Sequence, residues 1–173
     1  MPIVDVTVGG ATANSYTTEA DASAYFDERL NVGAWTAASA DDKARALISA
    51  TRWVDTQGFR GARATDAQAL AWPRVDVPDP DSRTDADIAD DVIPVAVAQA
   101  VCEVALAMLA AGSTDLLAVD GTAGVKRKKV DVLETEYFGP EDRPTGMEKV
   151  PQAIRLLTPY LAGSGSGLSV ERV

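Results

Sequence analysis

The stretch IPVAVAQAVCEVALAMLAA, residues 93–111, decides the fold of this chain. After its opening proline, Pro94, only Gln99 and Glu103 are polar, and their spacing of four places them on one helical face. Pro94 suits a first helical turn, and Gly112 suits the left-handed residue that ends a helix. A helix that is apolar on nearly every side is normally buried. We therefore expect a buried central helix.

A membrane span is the alternative for the same residues. Their number, 19, just suffices to cross a bilayer. However, a carboxylate such as Glu103 at mid-helix costs about 2.5–3.5 kcal/mol in a bilayer. Seven of the residues are alanine, and no Lys or Arg flanks either end closely. The sequence therefore favours a core helix, and we expect no membrane partner.

The amino-acid composition narrows the classes of function that the chain could have. The 173 residues are enough for one domain. Sixteen Lys and Arg against 26 Asp and Glu give a net charge of −10, which disfavours broad binding to phosphate backbones. There is no histidine, which removes the commonest general base and metal ligand. The lone Cys102 is expected in the core, and with no leader expected at the start, synthesis in a reducing cytoplasm is indicated.

Helix-start signals predict further helices on both sides of the central one. Thr18, with a carboxylate three residues on, begins a helix that runs to about Leu30, and Ser39 begins a second one that ends near Gly58. Trp35 falls in the connection between them. A last helix is expected from Val150.

Three weaker patterns complete this outline. The alternating run near the start predicts a short strand within residues 1–13. Asp66 is placed to cap a short helix over residues 67–71. Pro159 is expected to kink or stop the last helix.

Residues 76–91 form an acidic segment, called here the acidic loop. It holds seven Asp, one Arg and two Pro, so it carries a charge of −6 and is expected to be exposed and mobile. Two pairs of aspartates, Asp79 with Asp81 and Asp85 with Asp87, have the chemistry to bind Ca²⁺ or Mg²⁺. However, the segment lacks the Gly and Glu of a calcium-binding loop, so no metal is expected. The interface hypothesis includes four of these residues: Asp79, Asp81, Asp85 and Asp87.

A basic cluster follows the central helix, in residues with strand-like composition. Residues 125–138 are predicted to be an extended arm or hairpin strand, with the register left open. We expect one helical domain over residues 1–161, including an arm near 124–139, and a flexible Gly/Ser tail over 162–173. The partner-interface hypothesis names Lys126, Arg127, Lys128, Lys129, Val130 and Val132 in the arm, and Leu168, Val170 and Val173 in the tail.

No pattern indicates an enzyme. Cys102 has no histidine partner, and the Gly-rich residues 163–167 lack the spacing and lysine of a phosphate loop. We therefore expect no catalytic residues and no cofactor. Trp35, Trp53 and Trp72 are candidates for base stacking, but each is expected in or beside the core because it lies at a helix end or next to an apolar stripe.

Three stretches carry a resemblance to a known family. They are residues 13–26, with Ala13-Asn14-Ser15-Tyr16 at the start; residues 34–55, from Ala34-Trp35-Thr36 to Trp53-Val54-Asp55; and residues 68–74, QALAWPR. Over residues 13–138 the chain resembles phage proteins often labelled DnaT-like ssDNA-binding, which look like head–tail connector (adaptor, head-completion) proteins.

The resemblance implies a mostly helical subunit. Together with the patterns above, it leads us to expect a mainly α-helical bundle of four or five helices around a buried central helix, with a small β arm. It further implies a structural virion protein in the neck, made in the host cytoplasm. Its expected partners are other copies in a ring, usually of twelve, the portal protein above and a stopper or tail-completion protein below. Double-stranded DNA would pass through without sequence-specific binding. The family carries no catalytic residues over.

Two roles are open for the charged segments. The acidic loop and the basic cluster could meet across a head-to-tail ring contact. Alternatively, the acidic loop could line the DNA channel and keep the passing DNA from binding to its wall. The alternative function is a single-stranded DNA-binding protein of replication, as the family label says. A third possibility, an enzyme with a carboxylate-bound metal, is disfavoured by the pattern of the acidic loop.

Overall fold

The computed structural model describes residues 2–114, 125–129, 134–137 and 150–163. In this part of the chain the structure is mainly helical, which confirms the predicted fold class. The elements in order are α1 (Glu19–Asp27), α2 (Gly33–Ala37), α3 (Ala40–Asp55), β1 (Ala62–Arg63), β2 (Arg74–Val75), α4 (Val95–Ala111), β3 (Val125–Lys129), β4 (Glu134–Tyr137) and α5 (Pro151–Leu157).

Helix α4 is the central element, as predicted. The other four helices all contact it, and eight of its 17 residues are buried, including Cys102. Pro94 is the residue before the helix and not its first one, so the helix begins at Val95. Gly112 ends it in the left-handed conformation, with φ at 61°. No helix in the described ranges is long and apolar enough to cross a membrane.

The N-caps of α1 and α3 are confirmed. The hydroxyl of Thr18 accepts from the N–H of Asp21 at 3.1 Å, and that of Ser39 accepts from the N–H of Asp42 at 3.2 Å. One face of α3 packs into the core through Ala44, Leu47, Thr51 and Val54, which are buried, while Ile48 beside them is half-buried.

The predicted end of α1 is wrong. The helix ends at Asp27, and Leu30 lies beyond it with 87% of its surface exposed. Asn31 adopts a left-handed φ of 62°, which turns the chain into α2. Trp35 belongs to α2 and not to a connection. It is buried with its ring centroid 4.9 Å from that of Phe26.

The predicted strand within residues 1–13 does not form in the described part of that segment. Polar side chains satisfy its backbone instead: Asp5 donates its N–H to the side-chain oxygen of Asn14 at 2.8 Å. The carbonyl of Asp5 accepts from the N–H groups of Asn14 and Ser15. No strand lies beside this segment among the described residues, so an alternating pattern has nothing to pair with.

The predicted short helix over residues 67–71 is also wrong. Gln68 is buried there, and its side chain organises a loop. Its oxygen accepts from the N–H of Thr65 at 2.9 Å, and its amide donates to the carbonyls of Leu70 and Pro73 at 2.8 and 3.0 Å. One buried amide thus satisfies backbone groups that a helix would have paired internally.

Two short strands were not predicted. β1 and β2 are antiparallel, with Ala62 opposite Val75 and Arg63 opposite Arg74. Gly61 precedes them with φ at 68°, and a Cβ there would lie 1.9 Å from the carbonyl oxygen of Val75. Only glycine fits this approach, so the turn depends on a single residue.

The last helix begins and ends as predicted. α5 starts at Pro151 and gives way to a 3-10 turn, Thr158–Tyr160, that contains Pro159. Leu161 then forms a β-bridge with Phe59, which returns the chain to the end of α3. The flexible tail predicted after residue 161 lies outside the described residues from position 164 onward.

Candidate partner interface

The acidic loop is a hydrogen-bonded hairpin at its base. Pro78 and Asp87 form a β-bridge, and the N–H of Asp79 donates to the carbonyl of Ala86 at 3.0 Å. Val77 is fully buried and anchors the loop to the core. The predicted exposure holds for most of the segment, but the mobile loop expected from composition has a defined path at this base.

A groove of about 440 Å³ lies between the acidic loop and the first turn of α4. We call it the acidic groove. Val92 and Val95 contribute apolar surface and are 45% and 71% exposed. The side chains that matter for recognition are Asp79, Asp81, Asp87, Val92, Val95 and Tyr160. Asp85, the fourth predicted interface aspartate, is exposed but does not line the groove.

The charge of the acidic groove is not neutralised within the described residues, where Asp79, Asp81 and Asp87 form no ion pair. Asp79 accepts a hydrogen bond from the N–H of Asp81 at 3.0 Å, which fixes the turn. Burial, and then the charges of Asp81 and Asp79, raise the pKa of Tyr160. Its hydroxyl therefore remains protonated at neutral pH and is available as a donor.

Metal binding finds no support in the same region. In the ranges 2–114 and 150–163, no three Asp, Glu or Cys side chains converge in a way that could hold a metal ion.

The basic cluster lies on β3, which pairs antiparallel with β4 to form what we call the basic hairpin. In the register of the two strands, Arg127 is opposite Glu136 and Lys129 is opposite Glu134. Lys128 is opposite Thr135, and Lys126 lies at an irregularity of the register, so the register pairs neither of them with an acidic residue. This confirms a hairpin in the predicted arm.

Among the described residues, no strand pairing or bridge joins the basic hairpin to the acidic loop. The remaining predicted interface residues, Val130, Val132, Leu168, Val170 and Val173, lie outside the described residues.

Sequence analysis missed a buried charge cluster at the middle of α4. Glu103 is only 5% exposed and forms an ion pair with Arg29 of the α1–α2 connection. Tyr25 donates its hydroxyl to the Glu103 carboxylate at 2.5 Å. Burial and Glu103 raise the pKa of Tyr25 to about 12. The sequence offered two signals for this cluster. A lone carboxylate in an apolar helix requires a cation as a partner, and Tyr25 and Arg29 are four residues apart, a spacing that can bring both to the same carboxylate.

A second missed cluster fastens the N-terminal loop to the end of α3. Tyr16 donates its hydroxyl to Asp55 and accepts from the N–H of Trp72 at 3.0 Å. Asp55 also accepts from the N–H of Ala71 at 3.1 Å. Burial raises the pKa of Asp55. Every partner here is internal, so the cluster organises the fold and offers nothing to a ligand.

A larger groove, of about 530 Å³, lies at the other end of α4. Four alanines, Met108 and Leu109 are among the residues that line it. Its charged residues, Asp42 and Arg45, pair with each other at 2.9 Å. It therefore has no unpaired charge that would select a partner.

The aromatic candidates for base stacking are largely used by the core. Trp35 and Trp72 are buried, as predicted, and Trp53 is half-buried at the edge of α3. Trp72 packs edge-to-face with Phe59 and Tyr160, with centroids 5.6 and 5.8 Å apart. Base stacking requires an accessible ring face, so Trp35 and Trp72 are not available for it.

Comparison with known proteins gives one result. The model of a family described as "Putative DnaT-like ssDNA binding protein" matches residues 1–173. The chain belongs to this family. No curated protein and no solved structure matches. The family's description favours the alternative of single-stranded DNA binding over a virion role, and it names neither a portal nor a phage neck.

Proposed function

We propose that this protein is a structural subunit that assembles with copies of itself, as the head–tail connector of a phage particle. The observation that carries the proposal is the acidic groove. It combines exposed valines with aspartates that have no cation within the described residues, while the same chain carries a basic hairpin. That the particle is a phage virion, and that the subunit lies in its neck, is inferred from the resemblance of residues 13–138 to phage connectors.

The interior of the helical unit supports an assembly role. The buried Glu103 and the half-buried Asp55 are satisfied by internal partners, and both grooves described above are open to the surface. An exposed apolar patch rimmed by polar residues is typical of a protein–protein contact. The geometry therefore suits a docking subunit better than a protein that encloses a small ligand.

In the proposed role, copies form a ring below the portal, usually of twelve in the proteins it resembles. The ring extends the DNA channel and docks a stopper or tail-completion protein. A chain of net charge −10 repels the backbone of passing double-stranded DNA and so does not retain it. The site is the virion neck, after synthesis in the host cytoplasm.

The test is to image the purified chain by negative stain, alone and with the portal protein of the same phage. We expect ring-shaped particles that add density to one face of the portal. Isolated subunits of 18.1 kDa in both samples, with unchanged portal particles, would overturn the proposal.

The second candidate is single-stranded DNA binding, and the family's description favours it. Among the described residues, the basic hairpin is the segment with the charge to contact phosphates. Fluorescence anisotropy with a labelled oligothymidine at low salt tests this directly. Nanomolar affinity that falls steeply with added salt supports this candidate. No anisotropy change at micromolar protein excludes it.

A further inference from the structure

The acidic groove has the features of a docking surface for one particular occupant. Val92 and Val95 contribute exposed apolar surface to it, and Asp79, Asp81 and Asp87 also line it. The amide of Gln99 also lines it and has no hydrogen-bond partner among the described residues. An extended segment needs such a combination: apolar contact, an amide for its backbone and charges that select its side chains.

The chain itself contains a segment of matching chemistry. The basic hairpin carries four cations on β3 and two carboxylates on β4. Arg127 and Lys129 are each opposite a glutamate in the register of the two strands, whereas Lys126 and Lys128 are not. Charge complementarity therefore concentrates on these two lysines and on the exposed Asp81 and Asp87.

We infer that the basic hairpin of one copy docks in the acidic groove of the next copy. This inference rests on the proposed self-assembling function and names the two surfaces that would join neighbours. The contact is head-to-tail, since it uses two different surfaces of the same chain, and repeated contacts of this kind close into a ring or extend as a filament.

Two charge-reversal variants test the contact. The groove variant is Asp81→Lys with Asp87→Lys. It leaves Asp79, which fixes the turn, and Asp85, whose φ of 52° would strain a lysine. The hairpin variant is Lys126→Glu with Lys128→Glu, which leaves the residues opposite Glu134 and Glu136. A matched control is Asp90→Lys with Asp91→Lys, which changes the charge equally beside the groove but not in its lining.

Each variant alone would bring like charges together at every contact, so we expect loss of the oligomer, alone and on the portal. A mixture of the two would restore it. The hairpin of the groove variant is still basic, and the groove of the hairpin variant is still acidic, so these two surfaces attract each other. The acidic hairpin of the hairpin variant likewise attracts the basic groove of the groove variant. The control should assemble like wild type, with circular dichroism and thermal unfolding showing that all variants fold.

Sedimentation velocity reads the outcome. Loss in both variants and recovery in the mixture supports docking between copies. Recovery only when all four changes are on one chain would mean that the hairpin docks on its own subunit, which overturns the inference. Full assembly by both separate variants also overturns it but leaves the connector function standing. A wild-type chain that forms no oligomer, even on the portal, would remove the proposed function itself.

Discussion

Carboxylates lie in two contrasting settings along α4. At mid-helix, Glu103 is buried and paired with Arg29, with Tyr25 donating to the same carboxylate. Beside the first turn, Asp81 and Asp87 are exposed at the groove and pair with no cation of the described residues. The first setting must form for the chain to fold. The second costs little in the folded subunit because water solvates it.

The difference between a buried, paired carboxylate and an exposed, unpaired one allows effects on folding to be told apart from effects on assembly. A buried charge that loses its partner is strongly destabilising, whereas an exposed charge affects stability by a fraction of a kcal/mol. If the acidic groove serves assembly, its variants should retain normal stability and lose only association. Variants of the internal clusters should behave in the opposite way.

The largest effect is expected from Arg29→Ala. It leaves the buried Glu103 carboxylate without a cation, and because Arg29 itself is one-third exposed we expect the lower end of the usual range, a loss of about 3 kcal/mol. Urea unfolding followed by circular dichroism measures it. The control is Arg45→Ala, which breaks exposed pairs with Asp41 and Asp42 and should cost about 0.2–1 kcal/mol. Equal losses would show that the internal pair is not special.

The second effect concerns Tyr16→Phe. Removing the hydroxyl leaves the N–H of Trp72 and one oxygen of Asp55 without partners, at a cost of about 1–3 kcal/mol. The matched control is Tyr160→Phe, since the Tyr160 hydroxyl has no hydrogen-bond partner among the described residues. The two midpoints of urea unfolding should differ. Identical midpoints would contradict the role given to the Tyr16–Asp55 cluster.

A smaller effect is expected from Ser39→Ala at the start of α3. The change removes the acceptor for the N–H of Asp42 and should lower the free energy of unfolding by about 1 kcal/mol. Ser39→Asp keeps an acceptor at the cap, so it should retain most of the stability. If alanine were tolerated as well as aspartate, the cap would contribute nothing measurable.

The smallest effect on stability, and the sharpest contrast, belongs to Asp81→Asn with Asp87→Asn. Both residues are exposed, so the free energy of unfolding should stay within about 0.5 kcal/mol of wild type. Association should nevertheless weaken, because the two carboxylates proposed to attract Lys126 and Lys128 of the next copy are neutralised. A loss of stability comparable to that of Arg29→Ala would place these aspartates with the folding clusters.

The sequence predicted those features that depend on local chemistry. The caps at Thr18 and Ser39, the end of α4 at Gly112 and the burial of Cys102 follow from short-range signals. It failed where the hydrogen bonds of a buried side chain, or the presence of a partner strand, decide the local structure. The loop around Gln68 is set by the hydrogen bonds of its buried side chain to the carbonyls of Leu70 and Pro73. The strand expected near Asp5 has no neighbour to pair with in the part of the chain that the structure describes.

The candidate site was predictable in its charges but not in its shape. Composition singled out the acidic loop and the basic cluster, yet nothing in it placed Tyr160, from the far end of the chain, beside Asp79 and Asp81. The exposure of Val95 was also unexpected, because the apolar pattern of residues 93–111 indicated burial on every side. Both features arise from how the acidic loop packs against α4.

The most direct measurement of the central claim is the mass of the complex that the full chain forms with the portal ring, by native mass spectrometry. Our account predicts that a fixed number of 18.1 kDa copies adds to each portal. It also predicts that the number falls to zero for the groove variant and returns in the mixture with the hairpin variant. A portal of unchanged mass beside free wild-type subunits that bind single-stranded DNA with nanomolar affinity would contradict it.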